Sequence, residues 1–241
     1  MLFGNKKQKQ PAPDPNSVQL SSEELSKALS LPVQRQDGSS TTLAELTSGR
    51  LSILILIRHH HCGMCQGYIS SLNSNPILSK LAAPDAPSNA PQLIVLGHGV
   101  AEKGIDRYQD MTGNKFLMVS DPSAKVFDAL GCIKSLDISG DIPYDTSKSK
   151  MSDVLHSVWG MATSGSLMWK GGAFDQLGGD FIISPEGSVL YSHRMKTTVD
   201  HTRAEVLLQK AGLSESKPET QPSSDNLPPT PQADTPAVPA I

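Results

Sequence analysis

Leu51 to Leu72 reads LSILILIRHHHCGMCQGYISSL, and this stretch decides how the rest of the chain is read. Its first seven residues, Leu51 to Ile57, are apolar except for Ser52. A run of that length is too short to cross a bilayer and reads as a strand buried on both faces of a sheet. Arg58 and the triplet His59, His60 and His61 end it, and Cys62-Gly63-Met64-Cys65 follows. Tyr68, Ile69 and Leu72 then recur at helical spacing. The two cysteines therefore fall where a central strand turns into a helix. In an open α/β sheet that strand end is where chemistry is usually placed.

Cysteine suits the position for an electrostatic reason. The first helical turn presents unpaired N–H groups and the positive end of the helix dipole, which favour a thiolate. A C-x-x-C spacing puts both sulfurs on one turn, within reach of a disulfide. Cys62 is expected at the exposed lip of the helix and Cys65 one turn deeper. Three readings stay open at this point: thiol–disulfide chemistry, half of a zinc site completed by nitrogens of the histidine triplet, and a pair of inert buried thiols. No second C-x-x-C supplies four sulfur ligands.

Activation can be sized. A thiol of pKa about 8.5 is only about 3% ionised at pH 7, whereas pKa ~6 makes it roughly 90% ionised. That shift is worth about 3.4 kcal/mol. A helix N-terminus typically supplies ~0.3–1 kcal/mol and at best about 2. A cation is therefore expected nearby, and Arg58 leads directly into the loop. Of the histidines, His61 stands next to Cys62 and is the candidate base; three adjacent residues cannot all face one sulfur.

The 241 residues are 37% hydrophobic and 5% aromatic, which suits one medium-sized domain with disordered ends. A net charge of −3 gives no reason to expect nucleic acid or an anionic membrane as partner. Three cysteines are too few, and odd in number, for a secreted disulfide scaffold, so a reducing, cytoplasmic setting is expected. The opening MLFGNKKQKQPAPDP carries no apolar segment of the kind a secretory signal needs.

Residues 1–17 are polar and proline-bearing and are read as a disordered tail, 18–213 as the folded unit, and 214–241 as a second disordered tail. Seven of the 18 prolines lie beyond Leu213. Within the unit, Ser21 to Glu24 resembles a capping box before Leu25, Ala28 and Leu29. Val33 to Gln36 reads as a short strand ended by Asp37-Gly38, and Thr42 to Leu46 as one helical turn. Pro76 to Leu81 extends the helical region. Leu93 to Leu96 is a second buried strand, and Ala101 to Met111 a helix. Phe116 to Val119 is a third strand, and Asp121-Pro122 opens the helix of Val126, Phe127 and Leu130. Strands alternating with helices imply β-α-β units and a largely parallel sheet. The stretch 131–171 reads as an insertion with a helix from Met151 to about Ala162. Gly178 to Ile183 and Val189 to His193, joined at Pro185-Glu186-Gly187, form an antiparallel hairpin. A helix from Asp200 to Ala211 closes the unit.

This order of elements is similar to a thioredoxin fold: α/β, a central mixed sheet flanked by helices. Three motifs sharpen the resemblance. R-x-x-x-C-x-x-C-x-x-Y (Arg58, Cys62, Cys65, Tyr68) resembles the fungal and animal peroxiredoxin-like proteins of the alkyl hydroperoxide reductase/thiol-specific antioxidant type. DPSAKVFDALG (Asp121 to Gly131) is similar to their D-P-x-x-x-x-Y-x-x-L-G, with Phe127 for Tyr. QLGGDFIISPEGSVLYSHRMKTTVDH (Gln176 to His201) is similar to their G-G-x-F-x-F…HR-x-x-x-x-x-D-H ending. The sequence departs from the P-x-x-x-T-x-x-C of peroxiredoxins proper: counted back from Cys65 the Pro and Thr positions hold Arg58 and Cys62, and counted back from Cys62 they hold Ile55 and His59. Gly178 and Gly179 likewise stand where a thioredoxin carries a proline before its late strand.

The resemblance implies an antioxidant-type thiol oxidoreductase that needs no metal or organic cofactor. Cys62 and Cys65 would reduce a peroxide or disulfide and be recycled by an external thiol. Arg194 resembles the late arginine of the family and joins Arg58 as a candidate cation beside the sulfur. A homodimer is a possible assembly. The rival is a biosynthetic enzyme on the same scaffold, with Cys and His doing acid–base or nucleophilic work on a small organic substrate. A third reading is a binding or regulatory module whose Pro-rich tail recruits partners. Cys132 reads as a small buried hydrophobe or a further resolving thiol. His98 is placed as a pocket or structural histidine, and Met64, Met161, Met168 and Trp169 as cleft or core residues.

Overall fold

The computed structural model describes residues 14–82, 87–144 and 172–214. In chain order its elements are α1 (Ser22–Leu29), β1 (Pro32–Gln34), β2 (Ser40–Thr42), α2 (Leu43–Thr47), β3 (Ser52–Ile57), α3 (Gly63–Ser74), β4 (Gln92–His98), α4 (Gly104–Thr112), β5 (Leu117–Asp121), α5 (Lys125–Ala129), β6 (Gly179–Ile183), β7 (Val189–Arg194) and α6 (Ala204–Lys210). The sheet runs β2-β1-β5-β4-β3-β6-β7. β3, β4 and β5 are parallel neighbours, while β6 pairs antiparallel with β3 and β7 with β6.

β3 is central because every one of its residues is apolar or small enough to be buried. Alternation then divides it. Ile53, Ile55 and Ile57 join Tyr68, Ile69 and Leu72 of α3 in one core layer, with Ile105 and Tyr108 of α4. Leu54 and Leu56 join Leu25 and Leu29 of α1 and Val126 and Phe127 of α5 in the other. The β3-α3-β4 unit followed by the β6-β7 hairpin and α6 is the thioredoxin-like arrangement, with β1, β2 and β5 added along the β4 edge. The chain thus has the expected mixed α/β sheet.

Local chemistry explains the element ends. Ser21 and Glu24 close a capping box on α1, and Thr42 and Glu45 another on α2. Asp121 shows why the Asp-Pro motif opens α5: its carboxylate accepts from the N–H of Val126 at 2.7 Å and from the N–H and hydroxyl of Ser123 at 2.9 and 2.7 Å.

Several elements differ from the sequence expectation. The first strand is Pro32–Gln34, shorter than Val33 to Gln36, and it folds back through Gly38 (φ 82°) into β2. The region after α3 is a 3-10 turn, Leu78–Ala82, led by Asn75, whose side chain accepts from the N–H groups of Ile77 and Leu78. The closing helix starts at Ala204, not Asp200, because His201 and Thr202 are held extended by Asp180. Residues Asp14 to Ser17 are not free tail: they form a turn docked on β7, where Asn16 bonds both the N–H and the carbonyl of Arg194. The expectations for residues 1–13, for the helix from Met151 with Met161, Met168 and Trp169, and for the tail from residue 215 lie outside the described residues.

No cis peptide bond occurs among the described residues, and Gly178, just before β6, and Gly179, its first residue, each have a steric reason of their own. A Cβ on Gly178 would run into the backbone carbonyl of Leu56 at the end of β3, which no side-chain rotation relieves. Gly178→Ala is therefore expected to lower stability by about 1–3 kcal/mol or more, read as an earlier denaturant midpoint with unchanged slope.

Candidate active site

β3 ends at Ile57, and the chain turns through Arg58 and the three histidines before α3 begins at Gly63. Cys62 is the N-cap of α3, in the place where a serine or aspartate oxygen commonly sits. Its sulfur accepts from the N–H of Cys65 at 3.4 Å and from Nη1 of Arg58 at 3.3 Å. The Arg58 guanidinium is itself fixed, donating from Nε to the carbonyl of Gln176 at 3.2 Å and from Nη2 to that of Phe174 at 2.5 Å. Hydrogen bonds from the Cys65 thiol, the Arg58 charge and the Cys65 N–H outweigh burial and hold the Cys62 pKa down to about 5. Cys65 goes the other way, pushed well above the ordinary thiol range by burial and by the neighbouring sulfur. One ionised and one protonated sulfur thus share a helical turn, and no disulfide joins them.

Cys62 is not the exposed lip expected from the spacing. Both sulfurs are buried, at 2% and 0% relative exposure for Cys62 and Cys65. The three histidines are buried as well, and the turn segment leading to β6 supplies the carbonyls that hold Arg58.

Beneath Cys65 lies a group that the sequence reading did not single out. The Nε2 of His201 stands 3.7 Å from the Cys65 sulfur, and its Nδ1 is 3.0 Å from the carboxylate of Asp180. The other oxygen of Asp180 accepts from the N–H of Thr202 at 2.6 Å. The ring of Tyr68 stacks on that of His201 at 4.3 Å between centroids, and the Tyr68 hydroxyl donates to the carbonyl of Thr202. Both ends of this group lay inside the Gln176 to His201 motif. A buried Asp in a strand otherwise apolar from Phe181 to Ile183, read with a late histidine, is the signal that could have found them.

The triplet splits. The ring of His59 sits edge-on against Phe174 at 5.1 Å, and burial with the Arg58 charge pushes its pKa well down. His60 turns inward between Gly97 and Gly104, where a Cβ on either glycine would strike the ring. Its Nε2 lies 3.4 Å from Ser120 Oγ, and burial lowers its pKa to about 3. His61 is buried directly before Cys62.

Arg194 is not beside the thiolate. It pairs with Gly179 in the register of β6 and β7 and projects to the Phe181 face, with its guanidinium 5.8 Å from that ring. It donates to the carbonyls of Leu130, Pro15 and Val18, so it ties the N-terminal turn and the end of α5 to the sheet. The cysteines lie on the opposite face, with Asp180 and Ile182; strand alternation separates the two sets. Nor does Arg194 pair with Asp200, whose carboxylate meets His193 and the N–H of Lys196. Cys132 is in that far layer too, and burial raises its pKa to about 12. His98 packs on Phe127 and bonds the carbonyl of Asp121 at 2.9 Å, a structural role.

Among the described residues no group of three or more His, Cys, Asp or Glu side chains is placed to hold a metal ion, and no helix is long and apolar enough to cross a membrane.

Comparison with known proteins adds relatives to this geometry. Residues 78–197 match the family model described as AhpC/TSA antioxidant enzyme. Peroxiredoxin-like 2C of Mus musculus is 29% identical over 185 residues, covering 76% of this chain and 78% of its own. Peroxiredoxin-like 2C of Homo sapiens is 26% identical over 195 residues, covering 80% and 82%. Among solved structures, the bacterioferritin comigratory protein of Xanthomonas campestris, studied for alkyl peroxide reduction, is 18% identical with a TM-score of 0.47 over 78% of this chain and 92% of that one.

Proposed function

We propose that the chain, which is similar to peroxiredoxin-like proteins, is a thiol oxidoreductase in which Cys62 attacks a peroxide or disulfide and Cys65 resolves the product. The observation that carries this is the hydrogen bond from Arg58 to a Cys62 sulfur already capping a helix. The cation needed for activation is present, held by two carbonyls so that it cannot swing away. Cys65 has the complementary character: a protonated thiol that leaves Cys62 the stronger acid and therefore the attacking group.

With a peroxide, the Cys62 thiolate takes the distal oxygen and the O–O bond breaks, giving a sulfenic acid and, after protonation, an alcohol or water. Attack by Cys65 on that sulfur forms the disulfide and releases water. An external thiol returns both cysteines to the reduced state, as a reducing cytoplasm would allow. The rival acid–base enzyme finds less support, because burial holds His59 and His60 neutral and His60 is wedged between two glycines.

Reduced protein has three free thiols, Cys62, Cys65 and Cys132. One equivalent of hydrogen peroxide or of a small linear disulfide should leave a single titratable thiol, with peptide mapping giving a Cys62–Cys65 link. Three remaining thiols, or a link to Cys132, would sink the proposal.

A further inference from the structure

The reaction above needs a proton removed from the less acidic sulfur. Cys65 is fully buried, so bulk water does not reach its thiol. In the reduced state that thiol hydrogen-bonds the Cys62 sulfur. Once Cys62 is oxidised, its negative charge is gone and so is the acceptor. The Arg58 backbone N–H can only donate to that sulfur; the partner able to accept its proton is the Nε2 of His201, 3.7 Å away and within reach of a thiol hydrogen bond. Asp180, itself buried, fixes the tautomer: an Nδ1–H donating to its carboxylate leaves the Nε2 lone pair aimed at Cys65. The second carboxylate oxygen is occupied by the N–H of Thr202, so Asp180 cannot rotate without losing that bond. Stacking on Tyr68 holds the plane of the ring.

Resting on the thiol oxidoreductase reading, we propose that His201 is the catalytic base of the resolving step and Asp180 its positioning residue, forming with Cys65 a buried Cys–His–Asp relay. Nε2 takes the proton from Cys65 as its sulfur attacks Cys62. The S–S bond forms and the S–O bond breaks. The departing hydroxide takes a proton from solvent at the Cys62 end and leaves as water, while His201 stays protonated as the imidazolium. With a mixed disulfide at Cys62 the departing group is the substrate thiolate, protonated in the same way. When an external thiol later opens the disulfide, the imidazolium returns the proton to Cys65. The relay engages only after the first step, because until then the Cys62 charge holds the Cys65 proton.

The titratable and charged neighbours are Cys62 and Arg58 at the helix N-cap, Tyr68 on α3, Tyr108 on α4, Tyr191 on β7 and Glu205 on α6. Burial raises the pKa of all three tyrosines. None of them competes with His201 as a base near neutral pH.

The test separates the two steps in full-length protein under single-turnover conditions with hydrogen peroxide. Trapping of the Cys62 sulfenic acid by a dimedone-type reagent reports the first step, and the 2 Da mass loss of disulfide formation reports the second. His201→Gln is expected to keep the first rate within about twofold and to slow the second by about 100-fold or more. Asp180→Asn should slow the second step by at least about tenfold through the wrong tautomer. Added imidazole should restore part of the second rate in His201→Gly, which a purely structural role would not allow. Sulfenic acid formation at the wild-type rate shows in each variant that the site is folded. If disulfide formation in folded His201→Gln and Asp180→Asn stays within about threefold of wild type, the relay is wrong although the oxidoreductase reading stands. If the wild-type protein forms no sulfenic acid or disulfide at all, that reading falls and the relay with it.

Discussion

Cys62→Ser is expected to abolish peroxide- or disulfide-dependent oxidation of an external thiol, a loss of at least about 10³-fold in turnover. Cys65→Ser is expected to react once and then stall. The asymmetry follows from the two sulfurs having opposite electrostatic settings on one helical turn. Cys62 gathers the Arg58 guanidinium, the helix N-terminus and the Cys65 thiol, and its pKa falls to about 5. Cys65 is buried beside the Cys62 charge, these two effects outweigh the Arg58 guanidinium, and its pKa rises. A serine at 62 offers a hydroxyl that none of these donors can ionise at neutral pH, so the nucleophile is gone. A serine at 65 leaves the nucleophile intact but removes the sulfur that closes the cycle. Mass spectrometry after one equivalent of oxidant distinguishes them: no adduct on Cys62→Ser, and a trappable sulfenic acid or a mixed disulfide on Cys65→Ser. Equal residual turnover in both variants would remove the division of labour.

Arg58→Gln is the second large effect, and it appears most clearly at acid pH. A hydrogen bond to a charged group is worth roughly 1.5–3 kcal/mol, so losing it should raise the Cys62 pKa by about 1–2 units. At pH 7 thiolate would fall from nearly complete to between about 90% and 50%, less than a twofold loss. At pH 5 the same shift cuts thiolate from about half to about 9% or 1%, a 5- to 50-fold drop in the rate of alkylation. The variant also leaves the carbonyls of Gln176 and Phe174 without their donor, so a loss of about 1–3 kcal/mol in stability is expected alongside. The sign of the linkage is fixed by the depressed pKa. Thiolate stabilisation of the fold is complete above the unfolded thiol range near 9, and it shrinks as pH falls toward 5. The stability difference between wild type and Cys62→Ser should narrow over that window.

Much of this was legible in the residues. The run Ile53 to Ile57 forecast a central strand because nothing in it needs water, and the C-x-x-C fell at the start of α3 because the apolar spacing changes from continuous to helical there. The need for a cation could be sized from the sequence, and Arg58 meets it. Arg194 does not, for a reason that spacing alone hides. It depends on which face of β7 each residue takes, and that is set by the register with β6, where Arg194 opposes Gly179 and His193 opposes Asp180. His201 and Asp180 were missed because they meet only across the sheet, 21 residues apart in the chain, with α3 laid over both. The exposed position expected for Cys62 failed similarly. The sequence offers His61 as a candidate base and says nothing of burial, yet all three histidines are buried, and burial keeps His59 and His60 neutral. Docking of Asp14 to Ser17 was invisible too, because its anchor is the buried Arg194 backbone and guanidinium.

The most direct measurement is the pH dependence of iodoacetamide reaction at Cys62 in the folded, reduced protein, followed residue by residue. A half-maximal rate near pH 5, absent for Cys65 and Cys132 and shifted upward in Arg58→Gln, is the expected result. A midpoint at or above pH 8, unmoved by loss of Arg58, would contradict an ionised sulfur at the head of α3.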